Sequence, residues 1–99
     1  MEFLVTMITQ VPEGTSEEAV AEVRTREATR SRELAAHGYL LRLWRPTRAA
    51  GDPTAVGLYA AESRTELDAL LRALPLADWM KVTVVPLAAH PNDPGRDVL

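Results

Sequence analysis

Twice within 99 residues the sequence repeats one arrangement: an apolar β-type stretch, a helix-start signal, a helical run, and a return to a β-type stretch. Glu2 to Thr9 reads as the first strand, and Pro12-Glu13-Gly14 ends it with turn chemistry. Thr15 with Glu18 three residues on has the spacing of a capping box, and Glu17 and Glu18 suit the positive end of the helix dipole. His37-Gly38 closes that helix, with glycine in the C′ position. Tyr39 to Arg45 is the second strand, stopped by Pro46. Thr47 to Thr54, around Gly51-Asp52-Pro53, reads as a loop that lets a third strand, Ala55 to Ala61, pair antiparallel with the second. Ser63 with Glu66 offers a second capping box before the stripe of Leu67, Leu70, Leu71 and Leu74, which Pro75 closes. Leu76 to Met80 connect to a fourth strand, Lys81 to Leu87.

A βαββαβ order predicts an α+β chain, a ferredoxin-like sandwich with a four-stranded antiparallel sheet and both helices on one face. One domain over residues 1–88 follows, with residues 89–99 as a C-terminal arm carrying Pro91, Pro94 and Gly95. The strand patterns add a constraint. Phe3, Val5 and Met7 point one way while Leu4 and Ile8 point the other, and Val82 and Val84 oppose Val85 and Leu87. Two helices cover only one sheet face, so a partner chain is expected on the second. The expectation is a homo-oligomer of the kind that pairs such sheets into a dimeric α+β barrel, with the arm packed on a neighbouring subunit.

Composition then removes whole classes of function. Eleven basic residues against 14 acidic ones give a net charge of -3, the wrong balance for a nucleic-acid partner. With no cysteine there is no disulfide, thiolate metal site or cysteine nucleophile, and two histidines do not make a His-rich metal site. No apolar run approaches a membrane span, and Met1-Glu2-Phe3-Leu4 is unlike a signal peptide, which together suggest a cytoplasmic protein without a membrane partner. The sequence has no glycine-rich phosphate loop, no serine nucleophile elbow and no carboxylate cluster. An enzyme of this kind is expected to work with no cofactor and no metal, by proton transfer between ordinary side chains.

One carboxylate is placed for that work. Val20, Val23, Ser31 and Leu34 share the inward side of the first helix, and Glu27 projects into the middle of that stripe. Arg24, three positions earlier, can pair with it. Burial raises the pKa of such a group and a cation lowers it, so the carboxylate can take and return a proton near neutral pH. A buried structural ion pair explains the same pattern. In the second strand, strict alternation sends Leu40, Arg42 and Trp44 one way and Tyr39, Leu41, Leu43 and Arg45 the other. Either Arg42 or Arg45 then shares a face with the helices or lies under a subunit contact, where its planar fork suits a substrate carboxylate. Trp44 supplies an apolar wall or interface core. His37 suits a helix cap, and His90 lies in the arm before Pro91.

These residues resemble the muconolactone delta-isomerase family over nearly the whole chain. Leu43-Trp44-Arg45, Leu74-Pro75-Leu76 followed by Trp79-Met80, and His90-Pro91 carry the likeness in order and at near-family spacing. The family's Asp-Glu segment falls on Arg26-Glu27, so the glutamate is kept and the aspartate is not. The resemblance implies a ferredoxin-like fold, a decamer with sites at subunit contacts, and a cofactor-independent isomerase that moves a proton in a butenolide through a dienolate. It makes Glu27 the proton shuttle, with Arg24 beside it where the family has a lysine. Tyr39, Arg42, Trp44, Arg45 and His90 are the substrate-binding candidates. Ala49 to Ala55 replaces a shorter family loop that carries aromatic residues and an asparagine, and the family has a histidine near Arg42. That implies a changed pocket wall, for muconolactone or for another lactone. Two other functions fit the same pattern: a cofactor-free monooxygenase or cyclase acting on a polyphenolic intermediate, and a non-catalytic oligomeric binding module.

Overall fold

The computed structural model describes residues 1–47 and 53–97. Its elements run β1 (Glu2–Thr9), α1 (Glu17–Ala36), β2 (Leu40–Trp44), β3 (Ala55–Ala60), α2 (Arg64–Arg72) and β4 (Met80–Leu87). Single 3-10 turns follow α2 at Ala77–Trp79 and end the arm at Pro94–Asp97, where the sequence suggests only extended chain. The strands form one antiparallel sheet in the order β2-β3-β1-β4. Slotting β3 between β1 and β2 gives the ferredoxin-like sandwich expected from the element order. The expected loop around Gly51 and Asp52 lies outside the described residues. Among the described residues no helix is long and apolar enough to cross a membrane.

Phe3, Val5 and Met7 alternate inward from β1 and are buried. Tyr59 and Leu40 join them from the neighbouring strands, Leu34 from α1, and Leu67, Leu71 and Leu74 from α2. Both helices therefore cover the Phe3 face. The two helices differ in how well they do so. α2 presents a dense leucine stripe, whereas the 20-residue α1 buries only Leu34 and leaves Val20, Val23, Glu27 and Ser31 half-buried. Among the described residues no helix covers the opposite sheet face. Leu4, Ile8, Val56 and Leu58 are half-buried there, and Trp44, Val85 and Leu87 are 41%, 46% and 40% exposed.

Three local features depart from the sequence reading. Ser16, not Thr15, caps α1, accepting the Ala19 N–H at 3.1 Å, while the Thr15 hydroxyl turns back to the Pro12 carbonyl. At α2, Ser63 accepts the Glu66 N–H as expected, but the Glu66 carboxylate accepts from Glu62 N–H, one residue before the cap. The third departure matters most. Leu40 faces Tyr59 and Arg42 faces Leu58, so β2 spends one extra residue, Leu41, in a bulge. Strict alternation would put Leu40, Arg42 and Trp44 on one face. The bulge leaves Leu40 in the core and turns Arg42 and Trp44 to the open face, where the Arg42 guanidinium lies 5.0 Å from the Trp44 ring centre.

Candidate active site

Glu27 sits one turn after Arg24 and two turns before the buried Leu34 on the sheet side of α1. Its Oε1 accepts the backbone N–H of Leu76 at 3.0 Å, across 49 residues of sequence. That amide is free to donate because Leu76 stands just ahead of the 3-10 turn Ala77–Trp79, where the first N–H groups have no partner within the turn. Burial pushes the Glu27 carboxyl above the ordinary glutamate value, and the Leu76 hydrogen bond pulls it partly back. The expected Arg24–Glu27 ion pair does not form: the salt bridges among the described residues join Arg26 to Glu22, Arg30 to Glu33 and Arg64 to Asp68. A backbone amide takes the place of the cation. Glu27 is thus held without being neutralised.

Arg24 instead opens onto a cleft of about 480 Å³, lined also by Thr9, Val11, Arg45, Thr54 and Leu76. Its floor is fixed by backbone and hydroxyl bonds: Thr9 N–H donates to the Thr54 hydroxyl at 2.9 Å, and Thr54 N–H to the Met7 carbonyl at 2.8 Å. Gln10 N–H donates to the Trp79 carbonyl at 2.7 Å, which ties the end of β1 to the connector carrying Leu76. Arg24 and Arg45 approach the cleft from α1 and from the end of β2, and among the described residues neither has a carboxylate partner. Two unpaired guanidinium groups beside one cleft are suited to an anion. Glu27 is not itself among the residues that line the cleft; it meets the cleft through Leu76, which lines it and donates its N–H to the carboxylate.

The remaining candidates lie elsewhere in the chain. Arg42 and Trp44 are on the open sheet face. Tyr39 borders a depression with His37, Gly38 and Glu62 at the opposite end of α1. His90, in the arm beside Leu87 and Asp93, accepts the Asn92 N–H at its Nδ1 at 2.9 Å. His37, as expected, caps α1: its Nδ1 meets the Glu33 carbonyl at 2.8 Å. Tyr59, absent from the sequence candidates, is the other notable group. It is buried, and its hydroxyl is pushed up to about 12, first by burial and second by the nearby Glu27 charge. Glycine two residues before a tyrosine in a strand was the available signal, since that spacing puts both on one face.

Residues 1–93 match the protein family described as muconolactone delta-isomerase. The chain belongs to that family. Muconolactone delta-isomerase 1 of Acinetobacter lwoffii is 33% identical over 92 residues, 93% of each protein. The muconolactone delta-isomerase of Acinetobacter baylyi (strain ATCC 33305 / BD413 / ADP1) is 30% identical over the same share of both. A crystal structure of muconolactone isomerase superimposes with a TM-score of 0.80 at 26% identity, covering 93% of each chain. The structure of a 5-chloro-2-hydroxyhydroquinone dehydrochlorinase from Burkholderia phenoliruptrix, in complex with 2,5-dihydroxybenzoquinone, shares the fold at a TM-score of 0.66. At 17% identity, with 91% of this chain and 96% of that one covered, that likeness speaks for the fold alone. Membership of the family makes this an isomerase that shifts a double bond, and sets aside the oxygenase and binding-module alternatives.

Proposed function

We propose that the protein catalyses a cofactor-independent proton shift in a butenolide that carries a carboxylate, muconolactone or a related lactone. Glu27, as carboxylate, takes a proton from the lactone ring carbon; the C–H electron pair passes into the conjugated system as a dienolate. The protonated Glu27 then returns the same proton at another carbon of that system, so nothing is consumed and the double bond has moved. Arg24 and Arg45 hold the substrate carboxylate and their charge favours the anionic intermediate. The observation that carries this function is the half-buried Glu27, not paired with a cation and fixed at 3.0 Å by the N–H of Leu76, a residue that lines a cleft with two unpaired arginines.

The site is part of a homo-oligomer in this proposal, a decamer by family resemblance, acting on a small molecule in the cytoplasm. The apolar open face carrying Leu58, Trp44 and Val85 supports an interface with a second copy. Arg42, Trp44, Tyr39 and His90 would then meet substrate across subunit contacts, with the 89–99 arm laid on a neighbour. The decisive experiment is turnover of muconolactone by Glu27→Gln, which keeps the shape and the Leu76 hydrogen bond but has no basic carboxylate. A rate loss of roughly 10²- to 10⁴-fold is expected for removal of a general base. Wild-type turnover by the variant would rule out Glu27 as the shuttle.

A further inference from the structure

A second polar group, Tyr59, feels the charge of Glu27, and a glycine makes room for its ring. A side chain at position 57 would put its Cβ 2.6 Å from the Tyr59 Cε1 and 3.2 Å from Cδ1, so the tyrosine ring lies back along β3 over Gly57. The direction of that lean follows from the backbone. The end of α1 meets the start of β2, where Tyr39 N–H bonds the Leu34 carbonyl and Ala60 N–H bonds the Tyr39 carbonyl. From this end, Glu27 lies two helical turns, about 10 Å, back along α1 from Leu34. β3 runs antiparallel to β2, so the step from Tyr59 to Gly57 goes the same way. The ring, about 6.5 Å from Cα to hydroxyl, thus carries its hydroxyl toward the level of Glu27.

The hydroxyl itself is uncommitted. Among the described residues it has no hydrogen-bond partner, yet no fully buried side-chain oxygen or nitrogen lacks one. Tyr59 is buried at 3% exposure, and its hydroxyl, neither hydrogen-bonded nor fully buried, keeps only a trace of accessible surface. The influence of the Glu27 charge on this phenol agrees with the placement. A neutral O–H, rigidly held and without a protein acceptor, is a preorganised donor for charge that develops on a ligand oxygen.

We propose that Tyr59 is the oxyanion donor of this site, its hydroxyl hydrogen-bonding the lactone oxygen that becomes negative when Glu27 removes the ring proton, with Gly57 the residue that admits it. No proton leaves Tyr59 in this step; the O–H shortens its hydrogen bond to the dienolate oxygen and relaxes when the carbon is reprotonated. The assignment rests on the function proposed above and adds the second half of its chemistry.

Tyr59→Phe removes one oxygen and keeps the ring packing, so it is the variant to measure in the full-length protein. With muconolactone, kcat is expected to fall on the order of 10²-fold with KM little changed. Exchange of the ring proton with solvent deuterium, which reports dienolate formation, should fall by the same factor. A structural role would instead lower the thermal unfolding midpoint or move KM. Gly57→Ala keeps the hydroxyl but displaces the ring, and should lose kcat with Tyr59→Phe. A kcat within about tenfold of wild type in Tyr59→Phe overturns the donor role, as does a loss confined to KM or stability. Wild-type protein that turns over no butenolide is a different failure: it removes the proposed function, and the donor role falls with it.

Discussion

At the scale of single residues, Glu27 shows what a helical period can and cannot reveal. Its place on the inward stripe of α1 follows from 100° per residue and needs no structure. Its partner does not follow, because the Leu76 amide comes from 49 residues away and becomes available only where the chain enters a 3-10 turn. The local candidate, Arg24, goes to the cleft. A buried carboxyl with a raised pKa also leaves a signature on stability. An acid whose folded pKa lies above its unfolded one binds its proton more tightly when folded, so it adds stability at low pH and loses it as pH rises through that window. Glu27→Gln should therefore become more stable relative to wild type as pH rises from below 4.5 toward neutral. Urea unfolding across that range checks it, and a difference independent of pH would contradict the raised pKa.

At the scale of elements, the sequence marked starts and stops well because caps are local chemistry. Ser63 at α2 and the His37-Gly38 end of α1, with Gly38 at φ +81°, are where turn and cap rules put them. Ser63→Ala should cost about 1 kcal/mol in chemical denaturation, and Ser16→Ala a similar amount, with Thr15→Ala costing less than either. Equal costs at Thr15 and Ser16 would mean that the Ser16 hydrogen bond is not the one that caps α1. The bulge at Leu41 was not legible. Nothing in Leu40-Leu41-Arg42 distinguishes an alternating strand from one with an extra residue, since three of the five residues of β2 are leucine. Which face receives Arg42 and Trp44 is settled by the register against β3.

At the scale of the whole molecule, one sheet face is packed by both helices and the other is apolar and uncovered among the described residues. Leu4, Ile8, Val56 and Leu58 with Trp44, Val85 and Leu87 form a surface of the sort that monomers rarely leave to water. Val85 is exposed within the chain, so Val85→Lys should leave the protomer folded. In an assembly closed across this face it buries an unpaired charge, and light scattering should show smaller species than wild type. An unchanged assembly would place the subunit contact elsewhere.

The sequence by itself determined the element order, the Ser63 cap of α2 and the His37-Gly38 end of α1, the ferredoxin-like topology and the carboxylate on the inward face of α1. All of these are written in spacings of a few residues, where backbone geometry alone relates one position to the next. Only the tertiary structure decided the company that carboxylate keeps. The Leu76 amide reaches Glu27 from 49 residues away, Arg24 and Arg45 share the cleft lining with Leu76, and Tyr59, its ring over Gly57, feels the Glu27 charge. The faces that Arg45 and Tyr59 take depend on strand register, and for Arg45 on the β2 bulge, and a slip of one residue would turn each side chain to the other face.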